Sequence, residues 1–335
     1  MPSGPGTLLT EVAGGGDVGT AMAAVSETLR AWVGVGPVFL ATADPATGAF
    51  TATFTFDVPA DAAAAFYAIE LAGRDVVSFG RLAESSIPAE SLYAATQGAP
   101  ASSERWRTVM SPLGWGDELR AAVRSHGSTW GYLCVHREAH ERPFSARELT
   151  RLGALLPAIA AAMRQAALSS SAATARLETG VLLVDECGRL SGSTGGAAAW
   201  LAELGPAERD GLPLLLAGVV QQVIDHRQPI MTTLTTRTGR AGVVDAALLH
   251  TGGRPHVAVV ISAASPVHQL DRLAVAGLLS PREREVLACV VDGLSTRRIA
   301  DRLSISPHTV QAHLTSVYTK TGIRSRRELV ARLMH

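Results

Sequence analysis

Residues 278–335 read LLSPREREVLACVVDGLSTRRIADRLSISPHTVQAHLTSVYTKTGIRSRRELVARLMH, and helix starts recur within this stretch. The first start combines Ser280 with Pro281, which predicts a helix N-cap followed by a proline at the first helical position. Glu283 stands three residues after the serine, the spacing of a capping box. The stretch therefore opens with a helix whose first turn is fixed by its own side chains.

Two more helices follow in the same stretch. Ser295 predicts the cap of a short helix over 296–303, and Ser306 predicts the cap of a longer helix over 307–321. Gly322 supplies the C-terminal stop of the longer helix. Only a tight turn joins these two helices, and two short helices around such a turn form a helix-turn-helix.

The helix over 307–321 is predicted to have two different faces. Val310, Leu314, Val317 and Thr321 recur at the spacing of a buried stripe. The opposite face carries small or polar side chains and no acid: His308, Gln311, Ala312, Thr315 and Thr319. Such a face suits the DNA major groove, because an acid would repel phosphate and bulk would hold the backbone away from the base edges.

The distribution of charge supports a nucleic-acid partner. Residues 278–335 contain ten Arg and Lys residues against five Asp and Glu residues, whereas the remaining chain contains 20 against 25. A chain with no net charge thus has a basic end and an acidic body. Such asymmetry points to nucleic acid.

These residues resemble the LuxR-type (GerE-like) helix-turn-helix domain of bacterial transcription regulators. The resemblance spans the whole stretch 278–335 with its spacing intact, and it rests on Leu279, Ser280, Arg282, Glu283, Glu285, Val286, Leu287, Gly293, Ser295, Ile299, Ala300, Leu303, Ile305, Ser306, Thr309, Val310, His313, Lys320, Gly322 and Ile323. It implies an all-α domain of four helices over 266–335 that binds double-stranded DNA as a homodimer. RNA polymerase is then a candidate partner, and a small molecule is a candidate effector.

The resemblance also implies roles for individual side chains. Thr309 and Lys320 would touch phosphates, whereas Gln311, Ala312 and Thr315 would face bases. His308 and Arg324 complete the candidate DNA-binding set, although Arg324, Arg326 and Arg327 fit solubilising charge equally well. His313 borders the buried face, so a packed histidine is as good an interpretation as a phosphate ligand. The last helix would form the dimer contact through Leu329, Val330 and Leu333, with packing inside its own domain as the alternative.

Three departures from the family pattern are visible. Thr296-Arg297-Arg298 stands where Asn-Lys-Glu is common, and Thr321 stands where a Leu is usual. Gln311 replaces a usual Lys, which exchanges a phosphate or guanine contact for an amide suited to adenine. The changes at 296–298 and 311 predict an altered DNA target and leave DNA binding in place.

Residues 17–168 are predicted to form an α+β domain. Its predicted elements are helices 21–33 and 59–72, strands 38–43 and 49–56, a hairpin of strands 117–124 and 129–136, and a long helix from Ser145 to about residue 167. The segments LRAAVRSHGSTWGYLCVHR and RPFSARELTRLGALLPAIAAAM resemble the last strands and the exit helix of a GAF domain. The resemblance implies a sensory or dimerisation module, and it does not name a ligand.

A second α+β domain is predicted over 176–265, after a Ser- and Ala-rich linker at 169–175. Its predicted elements are strands 180–185 and 189–191, helices 197–204 and 214–226, and strands 230–237, 243–249 and 256–262. The segments GVLLVDECGRL and TRTGRAGVVDAALL resemble a PAS domain. The first sixteen residues, rich in Gly, Pro and Thr, are predicted to be loose.

Several kinds of protein are disfavoured by the sequence. Lys320 is the only lysine, so a P-loop and the strand-end lysine of a receiver domain are missing. No S-x-x-K, G-x-S-x-G or H-E-x-x-H motif is present, so we expect no enzyme. A receptor whose helix-turn-helix serves protein contact is the alternative, but it would not need a basic end.

We likewise expect no metal site, no cofactor, no membrane span and a cytoplasmic location. His136 and His140 are spaced to share a metal on a helix, but they are interpreted as exposed loop residues before Pro143. The three cysteines are interpreted as buried thiols of a reducing compartment. Trp106, Trp115, Trp130 and Tyr132 are interpreted as core residues rather than as the lining of a ligand pocket.

Overall fold

The computed structural model describes residues 18–34, 36–73, 75–125, 127–169, 177–205, 210–251, 254–264, 279–321 and 325–334. Within these ranges the chain forms two antiparallel five-stranded sheets with flanking helices, followed by four C-terminal helices. The coarse prediction of α+β parts followed by a helical end is thereby confirmed. The predicted loose segment 1–16, most of the linker 169–175, Gly322 and Arg324 lie outside the described residues.

The N-terminal sheet, β1 to β5, has the strand order β2-β1-β5-β4-β3. Its elements are α1 Val18–Val33, β1 Val38–Ala43, β2 Phe50–Phe56, α2 Ala60–Ala72, α3 Phe79–Glu84, β3 Ala89–Ser91, α4 Leu92–Ala95, β4 Trp115–Ser125, β5 Ser128–Glu138 and α5 Ala146–Ser169. A single 3₁₀ turn, Pro100–Ser102, and a π-helical turn, Trp106–Met110, precede β4.

One face of the N-terminal sheet packs against α1 and α5. Side chains alternate between the two faces along β1 and β5, so Leu40 and Leu133 point toward these helices. Together with Met163 of α5 they form a fully buried apolar layer. Gly131 permits the close approach of β5 to this layer, because a Cβ there would lie 2.4 Å from Met163 Sδ. The opposite face of β4 and β5 carries buried polar side chains instead.

The central sheet, β6 to β10, has the strand order β7-β6-β10-β9-β8. Its elements are β6 Gly180–Asp185, β7 Leu190–Ser193, α6 Gly195–Leu204, α7 Leu214–His226, β8 Ile230–Thr235, β9 Ala241–Thr251 and β10 Arg254–Ala263. Trp200 of α6 is fully buried in its core. The central sheet contacts the N-terminal sheet where Asp44 Oδ2 accepts a hydrogen bond from the Thr233 amide at 3.3 Å.

The four C-terminal helices are α8 Pro281–Val291, α9 Thr296–Leu303, α10 Pro307–Thr321 and α11 Arg326–Met334. They match the predicted helix starts at residues 281, 296 and 307. Among the described residues, no helix has both the length and the apolar content needed to cross a bilayer.

Two sequence interpretations are wrong. His136 is not a loop residue, because β5 extends to Glu138 and leaves the imidazole 1% exposed. Cys187 is exposed because it lies in the turn after β6, whereas Cys134 and Cys289 are buried as predicted. The interpretation of Trp115, Trp130 and Tyr132 as core residues is confirmed by their burial, while Trp106 is half-buried.

Candidate nucleic-acid interface

The first turn of α8 is closed by a complete capping box. Ser280 Oγ accepts a hydrogen bond from the Glu283 amide at 3.2 Å, and Glu283 Oε2 accepts one from the Ser280 amide at 2.6 Å. Pro281 occupies the first helical position, where its missing N–H costs no hydrogen bond. The local sequence alone is therefore sufficient to start this helix at residue 281.

A tight turn connects α9 to α10. Ser295 Oγ caps α9 by accepting the Arg298 amide, and Ser306 Oγ caps the next helix by accepting the Thr309 amide at 3.0 Å. Between the helices, Ser304 ends α9 in the left-handed region with a φ of 53°. The Ile305 amide then closes the turn on the Ala300 carbonyl oxygen at 3.0 Å. This arrangement is the predicted helix-turn-helix.

The C-terminal helices share an apolar core that sets the rotation of α10. Val310 and Val317 are fully buried and Leu314 is 2% exposed, as their spacing predicted. They pack with residues of the other three helices, namely Val286, Leu287, Ile299 and Leu329. Because one stripe of α10 is fixed inward, the opposite stripe must point to solvent.

The outward stripe of α10 is the predicted polar face. All five of its side chains are exposed: His308, Gln311, Ala312, Thr315 and Thr319. The Thr315 hydroxyl donates to the Gln311 carbonyl oxygen, and the Thr319 hydroxyl donates to the Thr315 carbonyl oxygen, each at 3.0 Å. These hydrogen bonds fix the orientation of the two hydroxyl groups. The lone pairs of each hydroxyl oxygen therefore stay available to accept a hydrogen bond from another molecule.

The face is also free of negative charge. No Asp or Glu lies on α10, and Arg297 and Arg298 stand exposed on the neighbouring α9. No ion-pair partner for these two arginines occurs among the described residues. A small, polar surface beside exposed guanidinium groups can approach base edges while neutralising phosphates.

Lys320 lies in a different environment from the predicted phosphate contact. Its Nζ donates to Glu283 Oε1 at 2.8 Å and to Oε2 at 2.6 Å, joining α10 to the capping box of α8. The Ser316 hydroxyl donates to Glu283 Oε1 at 2.6 Å. Although burial raises the pKa of Glu283, hydrogen bonds from Lys320, Ser316 and Ser280 lower it to about 2. The only lysine of the chain therefore fixes one helix to another.

The other candidate positions divide between surface and core. Thr309 is half-buried with its hydroxyl bonded to Ser306 Oγ at 2.8 Å, and His313 is half-buried as the helix phase predicted. The Arg326 guanidinium donates to the Leu294 carbonyl oxygen, whereas Arg327 is exposed. Arg326 thus ties α11 to the loop before α9, and Arg327 stays available to a partner.

The predicted dimer contact is revised at one position. Leu329 is fully buried in the core of the C-terminal helices, so it packs inside its own domain in this conformation. Val330 is half-buried on α11, and the side chain of Leu333 lies outside the described residues. Sequence reasoning found the Glu283 capping box but missed its link to Ser316 and Lys320. The four-residue spacing of those two residues on α10 was the available signal.

Residues 277–333 match the family described as bacterial regulatory proteins, luxR family. A putative HTH-type transcriptional regulator of Mycobacterium bovis is 56% identical over 54 residues, which are 16% of this chain and 6% of that protein. The oxygen regulatory protein NreC of Staphylococcus aureus is 43% identical over 53 residues, which are 16% of this chain and 24% of NreC. The match thus spans less than a quarter of either relative.

Solved structures give weaker similarities. SdiA in complex with octanoyl-rac-glycerol is 13% identical with a TM-score of 0.34, over 100% of this chain and 99% of that one. VqmA of Vibrio cholerae is 16% identical with a TM-score of 0.22, over 47% of this chain and 81% of that one. Scores of this size carry no conclusion about the two sheets. The C-terminal helices, in contrast, form a luxR-family helix-turn-helix domain on their sequence match alone.

Proposed function

We propose that this chain, whose residues 277–333 match the luxR family, is a sequence-specific transcriptional regulator that inserts α10 into the DNA major groove. The observation that carries the proposal is the exposed, acid-free face of α10, set outward by the buried stripe of Val310, Leu314 and Val317. Gln311 is the residue we assign to a bidentate contact with adenine, the base whose major-groove edge matches an amide.

The neighbouring positions complete the reading surface. Ala312 and the methyl group of Thr315 suit the thymine methyl, and the Thr315 oxygen accepts from a base amino group. His308 and Thr309 lie in the first turn of α10, where backbone amides also favour phosphate. We assign the remaining phosphate contacts to Arg297, Arg298 and Arg324, with Arg324 chosen for its positive charge in the sequence. Lys320 is left out of this set because Glu283 already holds its ammonium group.

The active species in this proposal is a homodimer. Two copies of α10 would then read half-sites about one helical turn apart, in a two-fold symmetric operator. Of the candidate dimer residues on α11, Val330 is half-buried and so keeps exposed surface for such a contact. RNA polymerase is the further partner that a regulator of this kind would engage.

The N-terminal part is proposed to receive the signal. We assign 17–168 to a GAF-like module and 176–265 to a PAS-like module. A cleft of about 320 Å³ lies between α2 and α7 and is lined by Tyr67, Gly218 and Gln222, among others. Its volume lies at the lower end for a small-molecule site.

Selection of the full-length chain against a random DNA library tests the proposal. We expect an enriched two-fold symmetric sequence, bound with an affinity that falls steeply with salt because arginines displace counterions from phosphate. Failure to enrich any sequence, together with salt-independent binding, would contradict it. Enrichment of a sequence without two-fold symmetry would contradict the proposed homodimer and would still support the DNA-binding function.

A further inference from the structure

A buried polar patch lies on the face of the N-terminal sheet that is turned away from α1 and α5. Strand register places Glu118 of β4 opposite His136 of β5, and Arg120 opposite Cys134. Their side chains share one face because alternate residues of a strand point the same way. All four residues are 3% exposed or less. Charged groups buried this deeply require partners.

The two arginines around this patch have partners. Arg105 donates through Nε to Glu118 Oε2 at 2.7 Å and through Nη1 to Asp75 Oδ2 at 3.0 Å. Arg120 donates through Nη1 to Glu70 Oε2 at 2.6 Å. Three carboxylates thus surround two guanidinium groups, which leaves one surplus negative charge. Glu118 Oε1, the oxygen that Arg105 does not use, lies 3.3 Å from Arg120 Nε.

Two atoms of the patch face each other without a hydrogen bond. Glu118 Oε1 lies 3.4 Å from His136 Nε2, and neither atom has a hydrogen-bond partner among the described residues. His136 Nδ1 lies 3.3 Å from the Pro37 carbonyl oxygen, which can only accept, so Nδ1 donates to it. A second proton on Nε2 would make an ion pair with Glu118, whereas an unprotonated Nε2 presents a lone pair to the carboxylate oxygen. Arg120 Nε is 3.3 Å from the same oxygen but forms no hydrogen bond with it.

The geometry of this contact also fits a metal ion held between the two atoms, with Nε2 unprotonated. Ligand atoms about 2.1 Å from a tetrahedral metal ion lie about 3.4 Å apart, the separation that Oε1 and Nε2 have. Cys134 Sγ, a carboxylate oxygen of Glu118 and a ring nitrogen of His136 all lie within 4.8 Å of one another, so three ligand types converge. The Nδ1 contact with a backbone carbonyl is the usual support of a metal-binding histidine.

We propose that Glu118, Cys134 and His136 bind one divalent transition-metal ion of the Zn²⁺ class. On binding, the Cys134 thiol releases its proton to solvent and a metal–thiolate bond forms. The thiolate adds one negative charge to the surplus of one, so a divalent ion makes the patch neutral. Carboxylate, imidazole and thiolate together suit zinc and neighbouring late first-row ions better than Mg²⁺ or Ca²⁺.

A small cavity of about 20 Å³ is bordered by two of the three residues, Cys134 and His136, and by Phe39, Phe66 and Phe79. A space of that size holds one or two water-sized molecules and excludes an organic effector. The metal would therefore carry a small exchangeable ligand. The site is independent of DNA binding by α10.

Titration of the reduced, metal-stripped, full-length chain with Co²⁺ tests the proposal. We expect one equivalent of bound Co²⁺ with a thiolate-to-cobalt absorption band, displaced by Zn²⁺. Cys134→Ser should abolish the band and weaken binding at least ~100-fold, since losing a ligand costs more than losing an outer-shell contact. Cys289→Ser is the matched control, because Cys289 is the other buried thiol and should leave the band unchanged.

Two results of the Co²⁺ titration would overturn the proposal. One is the absence of stoichiometric Co²⁺ binding, and the other is a thiolate-to-cobalt band that persists in Cys134→Ser. Nitrogen NMR of His136 that finds an imidazolium with a proton on Nε2 in the presence of Zn²⁺ also overturns it. If Cys134→Ser does not fold, X-ray absorption of the zinc-loaded native chain decides: one sulfur with nitrogen and oxygen ligands supports the site, and a shell without sulfur removes it.

Discussion

Replacement of Lys320 by Met distinguishes a structural ion pair from a phosphate contact. Lys320 Nζ lies within 2.8 Å of both carboxylate oxygens of Glu283, whose side chain is 5% exposed. Losing one partner of a fully buried pair costs about 3–5 kcal/mol. The Lys320 side chain is 37% exposed, so water can partly replace it, and we expect a loss of about 1–2 kcal/mol.

Hydrogen exchange of peptides from α10 measures this loss in the full-length chain. A destabilisation of 1–2 kcal/mol corresponds to exchange about 5- to 30-fold faster. Arg284→Met is the control, because it removes an exposed positive charge from α8 and should change stability by less than about 0.5 kcal/mol. A double-mutant cycle that combines Lys320→Met with Glu283→Gln should show a coupling energy of about 1–2 kcal/mol between these two residues.

The salt dependence of DNA binding can contradict the interpretation of Lys320 as part of a structural ion pair. Because Glu283 holds the ammonium group, Lys320→Met should leave the slope of log affinity against log salt nearly unchanged. A phosphate contact predicts the opposite, with unchanged hydrogen exchange and a slope reduced by about 1. That second pattern would show that the Lys320–Glu283 pair does not hold the helices together.

Further predictions concern acid stability and packing. The pKa of Glu283 is about 2 in the folded chain and 4.5 ordinarily, so its contribution to stability is present above pH 4.5 and is lost as pH falls toward 2. Urea unfolding followed by circular dichroism at pH 7 and pH 3 should show this loss in the native chain and less of it in Glu283→Gln. Gly131→Ala should destabilise the N-terminal sheet by more than about 1 kcal/mol, since its Cβ would meet the Ala41 carbonyl oxygen at 2.3 Å. Gly153→Ala, exposed in α5 with nothing within 4 Å, should instead stabilise it by about 0.5–1 kcal/mol; equal effects of the two alanines would contradict the packing argument.

Local signals in the sequence predicted most of the regular structure. The strand Val38–Ala43, the strand Gly180–Asp185 and the helix Leu214–His226 have the predicted bounds, because alternation, helical period and turn residues agree there. The two faces of Pro307–Thr321 followed from helical spacing alone. Each of these features depends on residues that are close in sequence.

The missed features depend on partners distant in sequence. The predicted strand ended at His136 and the polar run after it was interpreted as a loop, yet Arg137 lies in the strand, where Glu148 of α5 pairs with it at 2.6 Å. Lys320 was assigned to phosphate because Glu283 lies 37 positions away and only the packing of α8 on α10 brings them together. The convergence of Glu118 with Cys134 and His136 likewise requires the register of β4 and β5.

Base-by-base affinity measurements with Gln311→Ala test the central claim most directly. The selected operator and its single-base variants would be titrated with the native chain, with Gln311→Ala and with Gln228→Ala, a control at an exposed position between α7 and β8. We predict that Gln311→Ala loses about 1–3 kcal/mol of discrimination at one base pair of each half-site and that Gln228→Ala loses none. Unchanged preference and affinity in Gln311→Ala would contradict the assignment of this helix face to DNA.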